Sequence, residues 1–221
     1  MVVPVHNQGE YIGAIASDYL AVLANLSARH ELILVTNACT DASVAVCASL
    51  AAAHEQVELI ELAQGGWGRA VKAGLRHATG DVLCYTNSAR TSAANLALML
   101  SYSLAYPEVV LKANRRIRDN WRRRLGSLVY NLECRALFDI PAWDINGTPK
   151  IFPRGFDRLL ELRRDDDLVD AEFNWICRRE GYPLIEVPML ATTRLGGRST
   201  TNYRSAVRMY WGVYRMRRAG P

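Results

Sequence analysis

Lysine is nearly absent from this chain: Lys72, Lys112 and Lys150 are the only three, so arginine supplies 24 of the 27 basic residues. The net charge of +5 and pI near 9.1 therefore rest on guanidinium forks, which suit phosphate oxygens and anionic surfaces. A general bias toward arginine is the alternative, so only clustered arginines count further. Cysteine pairing is also missing. Cys39, Cys47, Cys84, Cys134 and Cys177 are odd in number, show no C-x-x-C spacing and lie mostly in apolar segments, which fits a reduced, cytoplasmic setting. No run approaches the roughly 20 apolar residues of a membrane span. The first residues lack a basic region followed by a hydrophobic core, so neither spanning nor secretion is expected. His6, His30, His54 and His77 are scattered, without H-x-x-x-H or H-E-x-x-H spacing, which speaks against a zinc hydrolase. Gly65-Gly66-Trp67-Gly68 has neither the Lys-Ser/Thr of a P-loop nor the full dinucleotide fingerprint; its glycines fit a tight turn.

What the chain does have is rhythm. Its 221 residues, 50% of them hydrophobic, suffice for one full core. Short apolar runs at 1–5, 31–35, 57–62, 81–85 and 109–113 alternate with amphipathic stretches at 10–26, 41–53, 69–78 and 92–105. That alternation predicts an α/β fold with a mainly parallel sheet flanked by helices. From Arg115 the pattern changes: a basic run, a helical stretch at 125–138, a loop at 144–149 entering a strand at 150–152, a helix at 169–179, a strand at 184–187 and a basic aromatic tail from 202. The simplest partition is one domain at 1–201 and a C-terminal basic helix at 202–221.

Two strand ends stand out, Thr36-Asn37-Ala38-Cys39-Thr40-Asp41 and Tyr85-Thr86-Asn87-Ser88-Ala89. Each follows an apolar run and precedes a helix, so its polar side chains belong at the carboxyl edge of the sheet, where open α/β folds bind ligands. Further ordered segments accompany them. These are Val3-Pro4-Val5-His6-Asn7-Gln8-Gly9-Glu10, then Gly65-Gly66-Trp67-Gly68-Arg69-Ala70-Val71-Lys72-Ala73-Gly74-Leu75 with Ala78-Thr79-Gly80-Asp81, and Asp144-Ile145-Asn146-Gly147-Thr148-Pro149-Lys150-Ile151-Phe152-Pro153-Arg154. Val169-Asp170-Ala171-Glu172-Phe173, Gly181-Tyr182-Pro183-Leu184-Ile185-Glu186-Val187-Pro188 and Arg194-Leu195-Gly196-Gly197-Arg198-Ser199 follow in order.

Jointly these segments resemble family 2 glycosyltransferases of the GT-A (Rossmann-like) fold, and among them the dolichyl-phosphate mannose synthase-like group. The resemblance implies a nucleotide-sugar donor, UDP- or GDP-linked, and a polyprenyl phosphate or related acceptor. It implies donor contacts from Pro4, Asn7, Glu10, Thr36, Asn37, Asp41, Gly68, Lys72, Thr86, Asn87 and Ser88. It places phosphate or acceptor contacts at Arg115, Arg123, Ser127, Asp144, Lys150, Arg194 and Ser199, with catalytic carboxylates at Asp170 and Glu172. The departure lies in the acids. Where the group carries D-D-G-S-T-D only Thr40 and Asp41 remain, and where it carries D-x-D to hold Mg²⁺ or Mn²⁺ the chain has Thr86, Asn87 and Ser88.

A diphosphate leaving group must have its charge offset, commonly by a divalent ion on hard carboxylate oxygens. Arginine substitutes in part, with candidates Arg90, Arg115, Arg116 and Arg118. In the run 115–127 Arg123 and Ser127 share a helical face by their four-residue spacing, although a solvated basic face is the plainer reading. An anionic lipid-phosphate acceptor needs alignment more than proton removal. A hydroxyl acceptor needs a base, for which Asp170 or Glu172 is available; the plainer reading of both is an acidic first helical turn. Asp41 equally suits a helix N-cap, and Asp165-Asp166-Asp167 reads as solvated loop. The tail, rich in Tyr, Trp, Met and Arg, suits an anionic membrane surface on the inner face, or packing against the domain. The functional alternatives are metal-independent transfer, a lapsed glycosyltransferase serving as a binding or regulatory subunit, and, weakest for want of a G-x-G-x-R-Lys loop after the first strand, a metal-dependent nucleotidyltransferase with a related sheet. Nucleic acid is not an expected partner.

Overall fold

A computed structural model describes residues 1–117, 121–190 and 203–219. Seven strands form one sheet in the order β3-β2-β1-β4-β6-β5-β7. They are β1 Val2–Val5, β2 Leu32–Asn37, β3 Val57–Leu62, β4 Val82–Tyr85, β5 Val110–Ile117, β6 Lys150–Pro153 and β7 Leu184–Leu190. β1, β2 and β3 run parallel in a continuous register, and β1 is parallel to β4. β2 (LILVTN) is buried at every position, as a parallel strand covered on both faces requires. β6 runs antiparallel between β4 and β5, pairing Tyr85 with Lys150 and Lys112 with Lys150. That reversal brings two lysines and a tyrosine side by side at the carboxyl edge, and the alternation of runs does not foretell it.

Helices α1 Ile12–Ala24, α2 Ser43–Ala53 and α4 Ala93–Ala105 cover one face, burying Ile12, Tyr19, Leu23, Cys47, Leu96 and Met99 against β1, β2 and β5. α3 Trp67–His77 and α6 Val169–Glu180 cover the other, with Val71, Leu75, Phe152 and Phe173 at the centre. Beside α6, α5 Trp121–Phe138 and α7 Tyr203–Ala219 share a third cluster, in which Val213 and Met216 pack with Tyr130, Cys134, Leu168 and Trp175. The α3 contact is close: a Cβ on Gly74 would lie 2.2 Å from Val2 Cγ1. No helix among the described residues is long and apolar enough to cross a membrane.

Candidate donor site

The carboxyl ends of β1, β2 and β4 converge on three corners. The first two are stitched together by their own polar side chains. Asn7, in the left-handed region at φ +49, accepts the Thr40 amide at 2.8 Å through Oδ1. Asp41 accepts the Gly9 amide at 2.8 Å and the Ser43 amide at 3.0 Å, so it braces the chain just before α2, whose N-cap is Ala42, and ties it to the β1 loop. Desolvation works against its ionisation, but the bonds from Ser43 and Gly9 hold its carboxyl below the usual value. Pro4 is buried within β1, and Glu10 is exposed. Thr36 turns inward to Ile60 O. Asn37 donates to Gly66 O at 3.3 Å while its own Oδ1 has no partner.

The third corner is neutral and internally satisfied. Thr86 and Ser88 are fully buried. Thr86 Oγ1 meets Thr91 Oγ1 at 2.7 Å, Ser88 Oγ donates to Gln8 Oε1 at 2.7 Å, and Asn87 Oδ1 accepts the Ala89 amide at 3.1 Å. A divalent ion needs several hard oxygens and, for tight binding, carboxylate charge. Two hydroxyls already engaged and one amide oxygen already capping a turn do not fit that need.

Beneath this corner lies a buried charge hub. Asp170, 4% exposed, receives Tyr85 Oη at 2.8 Å and Lys150 Nζ on Oδ1, and Trp67 Nε1 at 3.0 Å on Oδ2. Tyr85, Phe152, Phe173 and Trp67 form a chain of edge-on rings beside the ion pair. Burial, opposed by the Asp170 charge and reinforced by Lys112, brings Lys150 down to about 8. Burial, then the neighbouring Asp170, pushes the Tyr85 phenol well up. A second cluster adjoins it. Lys112 Nζ lies 2.8 Å from Glu186 Oε1, and Glu186 accepts the Trp143 and Asp144 amides at 2.8 and 3.0 Å. Asp144 in turn grips Arg115 through Nε at 2.7 Å and Nη2 at 2.8 Å.

Glu172, 3% exposed, accepts the Arg163 and Arg164 amides at 2.9–3.1 Å. The acidic triplet is more than a solvated loop. Asp165 pairs with Lys72 at 2.6 Å and Arg69 at 3.0 Å, because the 163–166 segment folds back on the start of α3. Gly68 permits that approach: a Cβ there would lie 2.3 Å from Arg164 O. Ser127 sits half-buried on α5. The Arg116, Arg118 and Arg123 side chains and all of Arg194 and Ser199 lie outside the described residues.

The structure thus gathers Asn7, Asn37, Asp41, Thr86, Asn87 and Ser88 at one edge and joins Lys150 to Asp170 and Arg115 to Asp144. The motifs carry no role for Gln8, Ser43, Tyr85, Lys112, Asp165 or Glu186, whose main partners lie 32 to 96 positions away, and Trp67 enters only within the glycine-rich segment that opens α3. A tryptophan between two glycines was the one local hint.

A seven-stranded, mostly parallel sheet with polar corners at its carboxyl edge and one reversed strand beyond them is the GT-A type of α/β fold. The glycosyl transferase family 2 profile matches residues 1–160, and the chain belongs to that family. Undecaprenyl-phosphate 4-deoxy-4-formamido-L-arabinose transferase of Sodalis glossinidius is 21% identical over 217 residues, covering 96% of this chain. The chain spans 65% of that relative's length. Among solved structures, glucosyl-3-phosphoglycerate synthase from Mycobacterium tuberculosis in complex with Mn²⁺, UDP and phosphoglyceric acid superposes with a TM-score of 0.76 at 16% identity, over 100% of this chain and 78% of that one. A mannosyltransferase from Pyrobaculum calidifontis in complex with GDP-Man and Mn²⁺ gives 0.55 at 21% identity, over 99% of this chain and 59% of that one. These likenesses establish the fold.

Proposed function

We propose that this protein transfers a sugar from a UDP- or GDP-linked donor to a polyprenyl phosphate or a related anionic acceptor, without a divalent ion. The observation that carries this reading is the Thr86-Asn87-Ser88 corner. By its resemblance to the family's D-x-D position it would face the donor diphosphate, yet it offers only neutral, internally bonded groups. The leaving charge then falls to arginine, whose fork binds phosphate oxygens in pairs. The sequence supplies these in the basic run that begins at Arg115. A phosphate acceptor is already anionic near neutral pH, so the site's task is alignment rather than deprotonation. The similarity to an undecaprenyl-phosphate sugar transferase supports the acceptor class. Radiolabelled sugar transfer to a polyprenyl phosphate that is unchanged by EDTA is the expected result; no transfer from any donor in a broad panel overturns the reading.

One observation favours the second reading, a lapsed enzyme that binds without turnover. Four cations near the sheet edge are matched to acids within the fold: Lys72 to Asp165, Lys112 to Glu186, Arg115 to Asp144 and Lys150 to Asp170. Calorimetry separates the two. Donor binding with turnover supports the transferase; binding of a nucleotide sugar with no transfer to any acceptor supports the lapsed form.

A further inference from the structure

We infer that Asp170 and Glu172 are positioning residues that seat the first turn of α3 from two sides, rather than proton acceptors. The inference rests on the glycosyltransferase reading only for its consequence on donor binding.

A general base needs a lone pair within reach of the acceptor's proton. Asp170 spends Oδ1 on the Tyr85 hydroxyl and the Lys150 ammonium, and Oδ2 on the Trp67 indole. Glu172 spends both oxygens on backbone amides of Arg163 and Arg164. Both side chains are more than nine-tenths buried. What they hold is the same element. Asp170 takes the side chain of Trp67, the first residue of α3. Glu172 fixes the 163–164 backbone, and the segment it fixes packs directly on the start of α3. Asp165 O accepts the Arg69 amide at 3.0 Å, the Asp165 carboxylate holds Arg69 and Lys72, and Arg163 O accepts Lys72 Nζ at 2.8 Å. Gly66 and Gly68 lie against Asp165 O and Arg164 O, at 2.4 and 2.3 Å from where a Cβ would stand.

This turn lies between two corners of the donor site. Gly66 O receives Asn37 at the end of β2, and the Trp67 ring stands edge-on to Tyr85 at the end of β4, centroids 6.4 Å apart. One helical residue pair, Asp170 and Glu172, therefore holds the turn that touches both the β2 and the β4 corner. Its effect on a donor is exerted through Trp67, Arg69 and Lys72, without contact to the reacting atoms.

Hydrogen exchange over residues 64–72 and the Trp67 indole N–H resonance test this in Asp170→Asn and Glu172→Gln. Loss of one such buried bond is expected to speed exchange of the α3 first turn by about tenfold in each variant. Asp170→Asn also moves the indole signal. UDP-glucose or GDP-mannose KM is expected to rise by about tenfold while kcat changes less. Unchanged exchange in both variants, or an indole signal that stays in place, overturns the inference. So does a fall in kcat beyond about a hundredfold at unaltered KM, the mark of a lost proton acceptor. Should Asp170→Asn fail to fold, Asp170→Asn with Lys150→Met removes both buried charges together. In that variant an indole signal at the wild-type position overturns the inference and a displaced one supports it. Wild-type protein that binds no nucleotide sugar sinks the transferase reading, and the exchange and indole measurements still decide the seating of α3.

Discussion

Ala38 occupies the left-handed region at φ +50, where a Cβ crowds the backbone and only glycine sits freely. The related turn carries glycine at this position, so the sharp exit from β2 is a property of the fold, and here it is held under strain. Ala38→Gly is expected to raise stability by about 0.5–1 kcal/mol in urea unfolding. Lys150 supplies a second test. Burial lowers it from an ordinary 10.5 to about 8, so the folded state holds this proton less tightly than the unfolded chain does. The resulting penalty is full below pH 8 and fades as pH climbs toward 10.5. Relative to Lys150→Met, the wild type is therefore expected to gain stability between about pH 8 and 10.5; a constant difference contradicts the buried ammonium. The thiols sort likewise. Burial pushes Cys47, Cys84, Cys134 and Cys177 up to about 12, while Cys39 is partly exposed. Iodoacetamide at neutral pH is expected to label Cys39 first, as mass spectrometry reads.

At the scale of elements, the alternation of apolar runs and amphipathic stretches marks β1 to β4 and α1 to α4 within a few residues, because period and propensity act locally. Two features escape such reading. β6 enters antiparallel between β4 and β5, a matter of tertiary pairing that no window of sequence contains. The acids Asp170 and Glu172 look like a free first helical turn, yet Asp170 takes Tyr85, Trp67 and Lys150 from β4, α3 and β6, and Glu172 takes the Arg163 and Arg164 amides. The corners themselves were legible, since Asn7, Asn37, Asp41 and Thr86-Asn87-Ser88 fall together at strand ends. Their internal bonding was not, because it depends on loop geometry. The close packing of α3 gives a direct check: Gly74→Ala drives a methyl into Val2, with 2.2 Å to Cγ1. It is expected to cost about 1–3 kcal/mol by thermal or urea unfolding.

Seen whole, the molecule is electrically two-sided. α1, α2 and α4 contain no lysine or arginine, whereas α3, α5, α6 and α7 all carry them. On α7, Trp211 and Tyr214 are 62% and 45% exposed beside exposed Arg215, Arg217 and Arg218, while Val213 and Met216 face inward. Aromatic rings with arginines on one exposed face suit an anionic lipid surface, in keeping with a lipid-phosphate acceptor. Co-sedimentation with phosphatidylglycerol vesicles is expected, and Trp211→Ser with Arg215→Ser is expected to weaken it by about tenfold; equal binding to neutral vesicles contradicts the arginine contribution.

The most direct test of metal-independent transfer is the initial rate of sugar transfer from UDP- and GDP-sugars to a polyprenyl phosphate, measured in EDTA and again with added Mn²⁺. Equal rates in the two conditions are expected from a corner built of Thr86, Asn87 and Ser88. Transfer that appears only with Mn²⁺, or no transfer in either condition, contradicts it.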